Sequence, residues 1–273
     1  MSVTSGELDC PLKLPDLPIA IFGLCDGLVC IGNSREVFIW NPSTRKYKGL
    51  QDVYSPHLCF VQRFGFGYDE SIDDYKVVGF FVDDHTRGSE SKVKVHAYTL
   101  RSNSWRRIGD CPHYLPPHAL GTFVNGPFHW IHLSAIDESN DIIVSLDWEK
   151  ETYGDGCFDL LLGVLNGCLC VLCNYLEVCF DVWVMKEYGI RDSWTKLFVI
   201  PYMSHPPSCP YSAALCILES GEILQDRVTH LVRYNPKDGT FSYPVIHNCS
   251  PCFRAHVYIE SLVSPDSNAD SGV

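Results

Sequence analysis

One short unit recurs five times along this chain of 273 residues and restricts the folds open to it. The unit is an apolar strand, a tight turn and then an aromatic residue. Seven positions separate the last strand residue from that aromatic in four copies, and eleven do in the other copy. The five pairs are Trp40 and Tyr47, Tyr98 and Trp105, Leu146 and Tyr153, Trp183 and Trp194, and Tyr234 and Phe241. Such regular spacing predicts a repeat architecture built of β-hairpins.

A second hairpin signal precedes four of these units. It is a short apolar run interrupted by a turn dipeptide that ends in glycine, and the dipeptides are Asp26-Gly27, Asn125-Gly126, Asn166-Gly167 and Ser220-Gly221. Each repeat is therefore predicted to hold four antiparallel strands. Successive trailing aromatics lie 41 to 58 residues apart, which matches the length of a β-propeller blade.

The composition of the strands favours the same fold. The segments 37–40 and 168–173 are apolar on both faces, whereas a sandwich strand with one face in water would alternate. Blades stacked against their neighbours bury both faces. We therefore predict an all-β propeller of five or six four-stranded blades, with an open repeat sheet or a sandwich as the alternative.

One domain accounts for nearly the whole chain. We assign residues 1–20 to an irregular N-terminal segment, residues 21–263 to the propeller-like domain and residues 264–273 to a disordered tail. The run 256–262 is predicted to form one more strand, which could pair with the N-terminal repeat and close the ring without leaving an edge.

Charge and composition exclude several classes of partner. The net charge of −12 repels phosphate backbones and anionic membranes, so neither nucleic acid nor membrane is an expected partner. No apolar stretch reaches the 18 residues of a spanning helix, and the first twenty residues lack the apolar core of a signal peptide. We expect a cytoplasmic or nuclear protein whose 14 cysteines are mostly reduced and packed as small apolar side chains.

The predicted long connections all lie at one face of the propeller. They are residues 51–60, 83–92, 110–118, 133–141 and 201–211. Long loops on a rigid scaffold are common binding sites, so we predict that this face binds a partner. The candidate contact residues are the loop aromatics and histidines outside the repeat, namely Tyr54, His57, Tyr114, His118, Tyr202 and His205.

Cysteine pairs provide the strongest metal-like signal in the sequence. Cys170 and Cys173, with Cys168 beside them, and Cys249 and Cys252 could together supply thiolates to zinc. However, residues i and i+3 of a strand point to opposite faces, so the pair in the predicted strand cannot chelate without a bend. We favour buried thiols and predict neither a metal nor another cofactor.

An acidic cluster provides the strongest catalytic signal. Asp69, Glu70, Asp73 and Asp74 could indicate a propeller glycan hydrolase, which needs two converging carboxylates. The cluster spans a predicted hairpin turn, where aspartates commonly accept hydrogen bonds from backbone amides and are expected to stay solvated. We therefore expect a non-enzymatic protein and keep glycan hydrolysis as the alternative.

An ordered series of motifs resembles the F-box-associated interaction domain of plant F-box/kelch-repeat proteins. The series includes Trp40-Asn41-Pro42, Phe66-Gly67-Tyr68-Asp69, Asp74-Tyr75-Lys76-Val77-Val78, Asn103-Ser104-Trp105, Asp181-Val182-Trp183-Val184-Met185, Tyr234-Asn235-Pro236 and Tyr258-Ile259-Glu260-Ser261-Leu262. The resemblance covers about residues 21–263. It implies a protein-binding substrate receptor of an SCF-type ubiquitin ligase, whose F-box contacts an SKP-type adaptor while the associated domain captures the protein to be ubiquitinated.

Two features depart from that pattern. Only 22 residues precede Gly23, and their prolines oppose the helices of an F-box. This weakens the expected contact with the SKP-type adaptor, and it suggests either a fragment of a longer reading frame or a competitor of intact relatives. The chain also contains no Gly-Gly doublet, so its repeats are kelch-like rather than true kelch repeats.

Overall fold

The computed structural model describes most of the repeated region. It covers residues 10–12, 19–33, 36–51, 60–82, 93–111, 122–124, 127–132, 142–147, 152–157, 160–175, 179–201, 213–227, 230–246 and 255–266. Within these ranges, no helix is long and apolar enough to cross a membrane.

Consecutive strands form five four-stranded antiparallel sheets in the part of the chain that the structure describes. The first sheet holds β1 (Ala20–Cys25), β2 (Leu28–Gly32), β3 (Val37–Asn41) and β4 (Lys46–Gly49). The second holds β5 (Phe60–Asp69), β6 (Asp74–Val82), β7 (Val93–Thr99) and β8 (Ser104–Cys111). The third holds β9 (Thr122–Phe123), β10 (Phe128–His132), β11 (Ile142–Asp147) and β12 (Thr152–Cys157).

The last two sheets have the same strand order. The fourth holds β13 (Leu160–Leu165), β14 (Cys168–Tyr175), β15 (Cys179–Met185) and β16 (Trp194–Pro201), with a short 3-10 helix (Arg191–Ser193) before β16. The fifth holds β17 (Ala213–Ile217), β18 (Ile223–Asp226), β19 (Leu231–Asn235) and β20 (Thr240–Ser242). The predicted all-β propeller of four-stranded antiparallel sheets is confirmed.

Strand register explains the repeated spacing in the sequence. In four sheets the residue that ends the repeat's strand lies directly opposite the trailing aromatic, as Trp40 does with Tyr47 and Tyr98 with Trp105. In the fourth sheet the partner of Trp194 is Met185, because the intervening turn is longer. The spacing of seven is therefore the signature of one hairpin geometry.

The turns use the residues that their backbone geometry requires. Asp26 and Gly27 have φ values of 49° and 74°, and the equivalent pair in the fourth sheet has 51° and 77°. Both residues of a type I′ hairpin turn need positive φ, which asparagine, aspartate and glycine adopt most readily. These dipeptides join the first two strands of their sheets, as the sequence predicted.

Apolar clusters pack successive sheets against one another. One cluster joins the first and second sheets through residues such as Ile39 and Phe66, and another joins the second and third sheets through Phe80 and Trp130. A further cluster joins the fourth and fifth sheets. Among the described residues no comparable cluster joins the third sheet to the fourth or the fifth sheet to the first, and we call the junction of the fifth and first sheets the seam.

The prediction of an additional strand at residues 256–262 is wrong. These residues form no strand in the structure. They lie beside the first sheet, where side-chain contacts rather than a backbone ladder hold them. The run of residues 256–262 suggested a strand, but the residues that hold this segment are in the turns of the first sheet.

Candidate functional site

The six predicted contact residues lie outside the described residues. Tyr54, His57, Tyr114, His118, Tyr202 and His205 all belong to connections whose placement the structure does not describe. The antiparallel strand order nevertheless puts the β2–β3 and β4–β5 connections at one end of the first sheet and its two hairpin turns at the other. The prediction that the connection face binds a partner stays a prediction.

The acidic cluster lies in the turn between β5 and β6 and supports that turn. Asp69 is buried, forms an ion pair with Lys76 and accepts hydrogen bonds from the backbone N–H (3.0 Å) and hydroxyl (2.6 Å) of Ser71. Asp74 accepts from the backbone N–H of Tyr75 and of Arg101, each at 2.8 Å. These two carboxylates therefore fix turns.

The pKa values agree with this structural role. Burial opposes the ionisation of Asp69, but hydrogen bonds from Lys76 and Ser71 outweigh it and hold the pKa of this carboxyl below its usual range. Exposed Asp73 accepts from the hydroxyl of Tyr68, which lowers its pKa as well. Neither carboxyl has the raised pKa that a general acid in glycoside hydrolysis needs.

Polar contacts also join the turns of the first and second sheets. The hydroxyl of Tyr75 donates to the Asp26 carboxylate at 3.1 Å, and the ammonium group of Lys48 donates to the carbonyl oxygen of Leu100 at 2.8 Å. Burial, reinforced by the Asp26 charge, raises the pKa of the Tyr75 hydroxyl. Tyr75 therefore remains a neutral donor that links the two blades.

The described cysteines are packing residues. Cys170 is fully buried in β14, and burial raises the pKa of its thiol to about 12. Cys173, in the same strand, is half-buried. Cys249 and Cys252 lie outside the described residues. Within the described part of the chain, no group of three or more histidine, cysteine or acidic residues is placed to hold a metal.

The C-terminal segment lies against the turns of the first sheet, and we call residues 255–266 the C-terminal strap. Asn41, fully buried at the end of β3, donates from its amide to the carbonyl oxygens of Ser261 (3.0 Å) and Val263 (2.7 Å). Its side-chain oxygen accepts from the backbone N–H groups of Ser43 and Thr44. One asparagine thus fixes its own turn and holds the strap.

Further contacts fasten the strap at both ends. The hydroxyl of Ser261 donates to the carbonyl oxygen of Asp26 at 2.6 Å, and the hydroxyls of Ser43 and Tyr258 lie 2.7 Å apart. At the other end, the backbone N–H of Ala255 donates to buried Asp226, at the end of β18, at 3.1 Å. The strap therefore spans the seam from the fifth sheet to the first.

A family match extends over nearly the whole chain. Residues 3–264 match the F-box associated β-propeller domain. The chain belongs to the F-box-associated propeller family. This agrees with five sheets of one strand order and with the resemblance carried by the repeated motifs.

Relatives of this F-box-associated propeller are plant F-box proteins. It is 32% identical over 262 residues to an F-box/kelch-repeat protein of Arabidopsis thaliana, and the match covers 90% of this chain and 69% of the relative. It is 29% identical over 294 residues to the F-box protein CPR1 of the same plant, with 94% and 71% covered.

A solved structure resembles the F-box-associated propeller in fold alone. An oligogalacturonate lyase in complex with manganese matches with a TM-score of 0.53 and 10% sequence identity. The match covers 82% of this chain and 63% of the lyase, so this chain spans less than two thirds of that protein. At this identity the lyase activity does not transfer.

Sequence reasoning missed the role of Asn41. An Asn-Pro dipeptide occurs twice, at Asn41 and at Asn235, and each asparagine accepts a hydrogen bond from the backbone N–H two residues later. This local pattern was visible as a turn signal. The hydrogen bonds from Asn41 to the strap could not be predicted from the sequence, because they join residues more than 200 positions apart.

Proposed function

We propose that this F-box-associated propeller is the protein-recognition module of an SCF-type ubiquitin ligase, and that it binds the protein to be ubiquitinated. The observation that carries the proposal is the family match over residues 3–264, together with relatives that are themselves F-box proteins. The proposed role is to bind a protein without catalysing a reaction. The engagement of Asp69 and Asp74 in turn structure supports that view, since these carboxylates already have structural partners.

We propose that five blades form the ring and that the strap completes it across the seam. The inner strand of each sheet supports this arrangement, since β1 lies against β5, β5 against β9 and β13 against β17. A rigid ring with its turns fixed on one face leaves the opposite face, with its long connections, as the proposed capture surface.

Alanine substitution tests the capture surface. A variant with Tyr114, His118, Tyr202 and His205 all changed to alanine should lose proteins captured from plant tissue, as measured by quantitative mass spectrometry. The matched control changes the exposed residues Arg45, Lys46 and Tyr47 on the turn face to alanine. Both variants must retain the native circular dichroism spectrum. Unaltered capture by the first variant would contradict the proposed surface.

A further inference from the structure

The C-terminal strap carries apolar side chains that are exposed to solvent. Leu262 and Ile259 are the two most exposed large hydrophobic side chains of the described residues, at 87% and 75%, and Val257 is half exposed. Between them, Tyr258 packs against the cluster of Val29, Ile31 and Trp40. Because Ile259 and Leu262 are three positions apart, they lie on opposite faces of an extended segment and flank its backbone on both sides.

The strap backbone has the properties of an unpaired strand. The carbonyl oxygens of Ser261 and Val263, two residues apart, face the same way onto Asn41, as in an extended chain, and within the described residues the backbone groups of residues 257–260 form no ladder with any sheet. Unpaired backbone groups on an extended segment are a template for another strand. Addition of a peptide strand to such an edge is a recurring mode of protein recognition, in which backbone bonds give affinity and alternate side chains give specificity.

Charge distinguishes the possible occupants of this edge. Glu260 and Asp266 are exposed on the strap, and the whole chain carries a net charge of −12. Antiparallel pairing of two copies centred on the strap would place their Glu260 carboxylates near each other, which is unfavourable. An extended segment with apolar and basic residues would complement both the exposed apolar side chains and the negative charge of the strap.

We propose that the C-terminal strap is a docking edge for an extended, apolar and basic segment of a protein partner, which adds as a β-strand along residues 257–262. This rests on the proposed function of protein recognition, and it names a second binding surface in addition to the face of the long connections.

A defined peptide tests the docking edge without knowledge of the natural partner. The probe is a fluorescein-labelled nine-residue peptide, Lys-Val-Thr-Val-Lys-Val-Thr-Val-Lys. The control peptide has the same side chains but carries N-methyl groups on two adjacent residues near its centre, which face opposite edges of a strand. Fluorescence anisotropy should show that the native chain binds the probe at least tenfold more tightly than the control. Equal binding of the two peptides would overturn strand addition.

Protein variants locate the binding. Ile259→Lys and Leu262→Lys should each weaken probe binding at least tenfold, because they place a cation against a basic peptide and remove an exposed apolar contact. Val245→Lys is the matched control, since Val245 is 73% exposed but lies outside the strap. It should change the affinity by less than twofold. Unchanged affinity in both strap variants would place the probe elsewhere and overturn the proposal.

Amide hydrogen exchange reports directly on the backbone. Saturating probe should slow the exchange of residues 257–262 at least tenfold, and no slowing would contradict the docking edge. A strap-dependent dimer in sedimentation, or probe binding only after deletion of residues 1–9, would assign the edge to the chain itself and also overturn the proposal. The alanine variant of the long connections should bind the probe normally, so failure of the capture surface and failure of the strap are distinguishable.

Discussion

The side-chain amide of Asn41 donates a hydrogen bond of 2.7 Å to the backbone carbonyl oxygen of Val263, 222 positions later in the chain. The same amide reaches the carbonyl oxygen of Ser261. A fully buried side chain at the end of β3 thereby holds the C-terminal strap against the first sheet. The strap is therefore held by a side chain rather than by a backbone ladder among the described residues.

Asn41→Ala is expected to destabilise the chain by about 2–4 kcal/mol, because two carbonyl groups and two turn amides lose their partner. Asn235→Ala is the matched control, since Asn235 supports an equivalent turn but is half-buried and contacts no described residue of the strap. Its cost should be about 1 kcal/mol. Urea unfolding measures both values, and equal losses would contradict the role of Asn41 in holding the strap.

Gly27→Ala should displace the strap. Gly27 has a φ of +74°, and an added Cβ would lie 2.5 Å from the Cβ of Ser261 and 2.8 Å from the carbonyl oxygen of Ile259. Gly167→Ala is the control, since Gly167 has a φ of +77° and open space around it. Backbone strain of about 1 kcal/mol is common to both variants. Only Gly27→Ala should also accelerate amide exchange at Val263. Similar exchange in the two variants would argue against a close contact between Gly27 and the strap.

Gly65→Ala should destabilise the contact between the second and third sheets. An added Cβ would lie 2.6 Å from the ring of Phe128, which is almost fully buried and has little room to move. We expect a loss of about 1–3 kcal/mol. Gly109→Ala, in β8 of the same sheet, meets nothing within 4 Å and should be close to neutral. Thermal unfolding of both variants tests the difference, and a neutral Gly65→Ala would show that the ring is free to shift.

The buried pair of Lys76 and Asp69 should give stability a defined pH dependence. Because the pKa of Asp69 is lowered in the folded chain, its contribution is fully present above the pKa of the unfolded chain and is lost as pH falls through the folded value. Lys76→Met leaves a buried carboxylate unpaired, which should cost about 3–5 kcal/mol at pH 7. That deficit should shrink as the pH falls, because the unpaired carboxyl then takes up a proton.

Urea unfolding at pH 7, 5 and 4 measures this dependence. Arg107→Met is the control, since Arg107 and Asp110 form an exposed pair that is expected to contribute about 0–1 kcal/mol. A pH-independent deficit in Lys76→Met would show that packing of the lysine stem, rather than the charge of Asp69, accounts for the loss.

Buried thiols should resist alkylation in the folded chain. Burial raises the pKa of the Cys30 thiol, and that of Cys170 to about 12, so few thiolates are present at pH 8. Iodoacetamide followed by peptide mass spectrometry should find both cysteines unmodified until urea unfolds the chain. Labelling of Cys30 at the same rate with and without urea would contradict its burial.

The hairpins could be predicted because their signals are local. The spacing between Tyr98 and Trp105 corresponds to direct cross-strand partners, and positive φ values lie at the predicted Asp26 and Asn166 turns. The interpretation of Asp69 and Asp74 as turn residues was also correct, since their acceptor groups lie close in sequence to amides that they bind. The expectation that these carboxylates stay solvated was wrong, because both are buried.

The strap could not be predicted in the same way. Its apolar run, which includes Val257, Tyr258 and Ile259, is typical of a strand, but Asn41 binds its carbonyl groups with a side chain, and no ladder forms among the described residues. That contact depends on the position of the strap relative to the first sheet, which no local pattern contains. The six candidate residues of the long connections stay predictions, because the structure does not describe them.

The most direct test of the recognition role is a ubiquitination assay with a chimaera. The chain is joined to the F-box of the Arabidopsis F-box/kelch relative and assembled with purified ligase components and a protein that the chain captures from plant tissue. We predict polyubiquitin on the captured protein with the chimaera, and none with the four-alanine variant of the long connections in the same chimaera. If the captured protein stays unmodified while the assembled ligase ubiquitinates a substrate of the intact relative, the proposed function is contradicted.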